Sequence, residues 1–146
     1  MISGAVAGLV AITPASGFVD ASGAIMIGIG AGALCYGGII LRHKFGFDDA
    51  LDVWAVHGVG GTWGAVATGL FATTAINAAG KDGLVYGGGA NLLMAQLIAV
   101  AVVWAFAFGV TVSVMWAMSK IMRIRMSKEE EKIGADIIQH GESAYG

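Results

Sequence analysis

His57 is the only ionisable side chain between Asp52 and Lys81, and it lies in the apolar run Asp52-Val-Trp-Ala-Val-His57-Gly-Val-Gly-Gly61. Imidazole is the side chain whose unperturbed pKa lies nearest neutrality, so it can accept a proton and return it. An ionisable group within an apolar span is costly and normally faces a cavity or a partner. Two readings follow: a group that handles protons, or a neutral structural histidine bonded to a helix neighbour. Asp52 stands five residues earlier, about 7.5 Å along a helix axis at 1.5 Å per residue. The pair therefore cannot put one member at a lipid interface and the other at the midplane: either Asp52 is itself buried in protein, the favoured reading, or His57 stands nearer the cytoplasmic side. Asp49-Ala-Leu-Asp52 also suits a helix start, and capping by Asp52 is compatible with a charge role. Gly58, Gly60 and Gly61 would let another helix or a narrow conduit approach the histidine.

Other chemistry is poorly supported. His43, His57 and His140 fall in a loop, a span and a tail, without the spacing that gathers metal ligands. No Gly-x-Ser-x-Gly elbow is present, and no phosphate loop, because the glycines lack a preceding strand and a Lys-Ser/Thr. Catalysis is not expected, and neither is a cofactor. The single cysteine, Cys35, lies in an apolar run and reads as an inert thiol. Thr13-Pro14 reads as helix termination, with the threonine hydroxyl serving backbone or facing a polar path. Trp54, Trp63, Trp104 and Trp116 read as lipid-facing or interfacial, and the methionines from Met115 to Met126 as packing.

The elements that must position His57 follow from composition. The 146 residues are 57% hydrophobic and only 12% charged, with mean hydropathy +0.78. Soluble domains carry roughly 25% charged residues, so lipid is the expected solvent. No basic stripe with interleaved aromatics exists, and no nucleic-acid partner is expected. Met1 enters a hydrophobic run without a charged n-region, which argues against a signal peptide.

Four apolar stretches approach the ~20 residues needed to span a bilayer. An all-α, multi-span helix bundle is therefore expected over residues 1–121, with helices at about 1–19, 21–41, 53–77 and 92–121, followed by a tail over 122–146. The glycine-rich segment before residue 91 reads as the longest loop. Loop 42–49 and the tail share a side and hold Arg42, Lys44, Lys120, Arg123, Arg125, Lys128 and Lys132, against Lys81 alone opposite. The positive-inside rule places that side in the cytoplasm. Small residues at spacing four (Gly4/Gly8, Gly28/Gly32, Gly60/Gly64) predict close helix packing.

Four segments together resemble the Amt/Rh ammonium transporter family. They are Gly8-Leu-Val-Ala-Ile-Thr-Pro-Ala-Ser-Gly-Phe-Val19, Phe47-Asp-Asp-Ala-Leu-Asp-Val53, Val56-His-Gly-Val-Gly-Gly61, and the tail with Gly134, Asp136 and His140-Gly-Glu-Ser-Ala-Tyr145. The resemblance covers essentially the whole chain. It implies an eleven-span cell-membrane fold, a homotrimer with a pore in each subunit, and for these residues the last four spans plus a cytoplasmic tail. It implies a missing N-terminal half carrying a second pore histidine that partners His57. Asp52 would lie near the inner end of the pore, Ile2 and Val53 would be narrow apolar lining, and Thr13 would lie near the conduction path. The tail, with Arg125, Gly134, Asp136, His140, Gly141, Glu142 and Tyr145, would couple subunits and shape the surface for a trimeric nitrogen-regulatory signalling protein. Ala135 and Ala55 depart from the leucine and glycine usual there.

The expected activity is passage of ammonium or ammonia. Burial favours the neutral form of such a base, so a pore that strips the proton needs a proton-handling group in an apolar path, and hydrated potassium has no proton to give. A sensor-type member and a purely structural helix bundle are the other readings.

Overall fold

The computed structural model describes residues 2–143. The described residues are helical apart from turns and a single antiparallel bridge, Val19 to Ala72. Helix α1 (Ile2–Ile12) tightens into a 3-10 turn, Thr13–Ala15. Helix α2 spans Ala21–Phe45. A π-helical segment, Trp54–Val59, runs directly into α3 (Gly60–Phe71). A long connection containing the 3-10 turn Leu84–Tyr86 leads to α4 (Asn91–Ile121). A short α5 (Lys128–Ile133) and a second π segment, Asp136–His140, complete the described chain. Two helices, α2 and α4, are long and apolar enough to cross a membrane, with mean hydropathies of 2.0 and 2.4.

The helix ends have local causes. Pro14 lacks the N–H that would continue α1, and the Thr13 hydroxyl donates to the Leu9 carbonyl at 2.7 Å. Asp20 caps α2, accepting from the Gly23 N–H at 2.8 Å. Helix α2 runs on through Arg42 to Phe45 and stops at Gly46, whose φ of +66° gives the left-handed cap that glycine provides without strain. The third helix ends at Phe71 rather than Asn77, because Ala72 turns extended and pairs with Val19.

The chain forms two compact units, one up to Trp104 and one from Ala105. In the first, the core is built from small residues. Ala11, Ala15, Ala31 and Ala67 surround Ile27, and Ala7, Cys35 and Val56 form a second cluster. Alanine at these points lets backbones approach closely, which is the main source of helix association where water does not drive burial. The four-residue glycine spacings divide accordingly. A Cβ at Gly64 would lie 2.1 Å from the Ala11 carbonyl oxygen, and one at Gly60 would lie 3.0 Å from the Cys35 sulfur. Gly69, which follows them, also packs, an added Cβ lying 2.7 Å from the Leu93 Cα, whereas Gly4, Gly8, Gly28 and Gly32 have nothing within 4 Å among the described residues.

Trp104 and Trp116 are exposed as expected, whereas Trp63 is half-buried against a neighbouring helix. The Trp63 ring lies on Gly30, where an added Cβ would come within 2.5 Å of it, and its indole donates to the Ile27 carbonyl at 2.9 Å. Trp104 donates to the Thr62 hydroxyl at 2.8 Å. The indole N–H of each needs a partner away from water, and each finds one on a neighbouring helix. The connection 72–90 is tied down as well. Asp82 accepts from the Thr74 amide at 2.7 Å, Tyr86 donates to Asp20 at 2.8 Å, and Gly83 and Gly88 pass so close to Leu70 and Asp82 backbone that no Cβ fits.

In the second unit, Ser127 and Glu130 form a capping box that starts α5. Arg123 pairs with Glu130, and Arg125 with Glu131 at 3.0 Å.

Candidate functional site

The π segment is the local feature that the residue pattern concealed. π-Helical turns are rare and occur frequently at functional sites; this one holds His57 at its centre. Its start is set by Asp49, whose carboxylate accepts from the backbone N–H groups of Val53 at 2.9 Å and Trp54 at 2.8 Å. Asp49, not Asp52, is therefore the capping side chain. The Trp54 N–H, then those of Val53 and the nearby Arg42 charge, hold the Asp49 carboxyl below the usual carboxylate range despite its partial desolvation.

Asp52 takes another part. Its φ is +55°, the only left-handed non-glycine among the described residues; aspartate and asparagine tolerate this region better than most residues. Its carbonyl accepts from the Val56 N–H at 2.8 Å, and its carboxylate meets the Arg42 guanidinium, Nε to Oδ1 at 2.8 Å, with the side chains 22% and 13% exposed. Asp52 is thus half-buried rather than buried as expected, with a charge partner that the sequence reading did not pick out. The two roles that the sequence reading allowed together at Asp52 are divided: Asp49 caps, while Asp52 turns the chain and pairs.

Three helices hold the segment. From α2, Gly38 lets Ala55 approach so that an added Cβ would lie 3.1 Å from the Ala55 Cβ, and Cys35 lies 3.9 Å from the Val56 carbonyl. From α1, Ala7 joins Cys35 and Val56. From α4, Trp104 reaches Gly58, with Trp54 on the same glycine. With Ala55 and Val56 buried by these contacts, His57 is left exposed, and its ring has no hydrogen-bond partner among the described residues. A structural histidine bonded to its own helix is not what this arrangement contains.

The remaining predicted residues are placed as follows. Ile2, Val53 and Thr13 are all exposed. Ile2, Leu9 and Thr13 share the face of α1 away from buried Ala7 and Ala11. In the tail, Arg125 is paired with Glu131, and Gly134 has φ +113° with the Asp136 carboxylate against it. Asp136 also receives the Ile137 N–H at 3.0 Å. His140 ends the second π segment, Gly141 is left-handed at +68°, and the Glu142 amide donates to the Asp136 carbonyl. Tyr145 lies outside the described residues. No group of three or more metal-binding side chains occurs among the described residues.

Two helices long and apolar enough to cross a membrane, beside an exposed imidazole without a hydrogen-bond partner among the described residues on a distorted turn, fit the class of integral membrane proteins. The Ammonium Transporter Family profile matches residues 1–145, and the chain belongs to that family. It is 52% identical over 145 residues to an ammonium transporter of Bacillus subtilis, covering 99% of this chain and 36% of that protein. With Amt1 of Archaeoglobus fulgidus the identity is 49% over the same shares. The crystal structure of Saccharomyces cerevisiae Mep2 superposes with a TM-score of 0.81 at 36% identity, over 92% of this chain and 31% of Mep2. The all-helical fold of an ammonium transporter is thereby established for this chain, which spans about a third of the length of these relatives. A membrane location follows from the same family membership.

Proposed function

We propose that this chain forms part of the wall of an ammonium-conducting pore and contributes His57 as its proton-handling group. The observation that carries this reading is His57 itself: an exposed imidazole without a hydrogen-bond partner among the described residues, on a π segment whose Ala55 and Val56 are buried. An ammonium ion loses its favourable hydration on entering an apolar passage, and the neutral form is preferred there. An imidazole at the passage takes the proton and returns it, while potassium, lacking one, is refused.

In this reading Asp52 stands at the inner end of the relay, and Ile2, Val53 and Thr13 line the path. The passage is completed by an N-terminal half carrying a second histidine, and three copies assemble in the cell membrane. Residues 1–121 form the membrane region and 122–146 the cytoplasmic tail, on the side rich in Lys and Arg. The tail residues from Arg125 to Tyr145 couple subunits and offer a surface to a trimeric nitrogen-regulatory protein. The similarity of nearly the whole chain to ammonium transporters supports the substrate.

The test is His57→Ala in the full-length parent, in cells without other ammonium transporters. Methylammonium uptake should fall at least tenfold, or potassium should begin to pass. Unchanged uptake together with unchanged potassium exclusion would remove His57 from the mechanism.

A further inference from the structure

We propose that Arg42 is a positioning residue for His57, acting through Asp52, and that the Arg42–Asp52 pair sets the register of the π segment; this rests on the pore reading above. The guanidinium is fixed at two points, Nε to the Asp52 carboxylate at 2.8 Å and Nη2 to the His43 ring Nε2 at 3.0 Å. In the second contact the guanidinium, which only donates, meets the ring nitrogen as acceptor. Asp52 is the hinge between loop and helix. Its left-handed backbone lets the side chain turn back to α2 while its carbonyl enters the helix as acceptor for Val56. Without a partner, an aspartate has less reason to hold that backbone state, which is sparsely populated for any residue with a Cβ.

The attachment has a second point one turn along α2. Gly38 and Arg42 are four residues apart and so share a face. Gly38 seats Ala55 and Arg42 seats Asp52. The steric contact fixes the distance between α2 and the segment; the ion pair fixes its rotation and its starting residue. A π turn admits one more residue per hydrogen-bonded ring than an α turn, so a one-residue slip at the start would swing His57 by about 100° around the axis. Arg42 thus governs where the imidazole points without touching it. Asp49 adds to this end, because its caps on Val53 and Trp54 are made beside the same guanidinium charge.

The experiment is a double-mutant cycle in the full-length parent, reading the maximal rate and half-saturation of methylammonium uptake at matched amounts of membrane-inserted protein. Arg42→Gln and Asp52→Asn should each lower the maximal rate about fivefold or more, with half-saturation changed less than twofold. Asparagine retains the left-handed tolerance, so its effect reports the lost charge. The double variant should be no slower than the slower single, and Arg42→Lys should recover at least half of the rate lost in Arg42→Gln. Parental rates in both singles, losses that multiply in the double, or a lysine variant no better than glutamine would overturn the proposal. If Arg42→Gln does not accumulate, Asp52→Asn and Arg42→Lys decide: a parental rate in Asp52→Asn is then the refuting result. His57→Ala separates the two readings. Loss in His57→Ala with parental Arg42→Gln sinks the positioning role alone, whereas an indifferent His57→Ala sinks the pore reading and this one with it.

Discussion

Replacing Gly64 by alanine should be among the most damaging single-methyl additions to this bundle. The added Cβ would lie 2.1 Å from the Ala11 carbonyl oxygen and 2.9 Å from its carbonyl carbon, against the 3.4–4 Å of ordinary contact. The obstacle is helix backbone, which has no rotamer to give. Helices α1 and α3 must therefore separate by about 1.3 Å, the difference between 3.4 and 2.1 Å, and the separation would loosen the Ala11, Ala31 and Ala67 cluster. Overpacking costs typically 1–3 kcal/mol, and rigid surroundings put this case at the upper end. Alanine returns about 1 kcal/mol as the better helix former. The net loss is roughly 2 kcal/mol, about a thirtyfold shift in equilibrium. The assay is the apparent unfolding temperature of the full-length parent in detergent, beside Gly61→Ala, where the nearest atom is Val10 Cγ1 at 4.0 Å. A Gly64→Ala protein that unfolds at or above the parent's temperature would refute the account of how α1 and α3 meet.

Two other outcomes follow from polar groups. Trp104→Phe and Thr62→Val each remove one end of the 2.8 Å hydrogen bond between α4 and α3; their coupling should be about 0.6 kcal/mol, the average measured for bonds between membrane helices, and additive losses would mean that the bond contributes nothing. Asp49 has a carboxyl pKa lowered in the fold, first by the Trp54 N–H. Its stabilisation is therefore present above the unfolded pKa of ~3.9 and lost as pH falls through the lower folded value. Asp49→Asn should reduce thermal stability at neutral pH and shrink the fall seen on acidification from pH 5 to 3; an unchanged acid profile would show that the caps do not act through the ionised carboxylate.

Much of the architecture was legible because lipid imposes a simple rule on sequence. Long uncharged runs bounded by Asp20, Arg42 or Lys120 became helices α2 and α4 with ends close to the charges. The region around His57 was only half legible. The cost of an ionisable group in an apolar run singles out His57, but the turn that presents it does not follow from 3.6-residue periodicity, since π geometry leaves no pattern in apolar residues. The cap went to Asp49 and the ion pair to Asp52 because a left-handed backbone at residue 52 redirects the chain, and backbone state at a non-glycine residue is hard to infer from type alone. Arg42 looked like a loop charge because charge usually ends a span; here α2 continues for nearly another turn and carries it inward to a partner. The glycine spacings gave the right physics at Gly60 and Gly64 and no local partner at Gly4, Gly8, Gly28 or Gly32.

The connection between α3 and α4 has a composition that invites the word flexible, yet its glycines serve closeness rather than freedom. At Gly83 a methyl would strike the Leu70 carbonyl at 2.5 Å, and at Gly88 it would strike that of Asp82 at 1.8 Å, while the amides of Thr73, Thr74, Gly83 and Gly88 are all spent on internal acceptors. Such amides trade their protons with solvent only when the surrounding contacts open. The segment should accordingly behave towards deuterium and towards proteases as helix does, and its conformational entropy is already surrendered before any solute arrives. The segment thus offers a surface whose shape is set by the fold and not by induced accommodation.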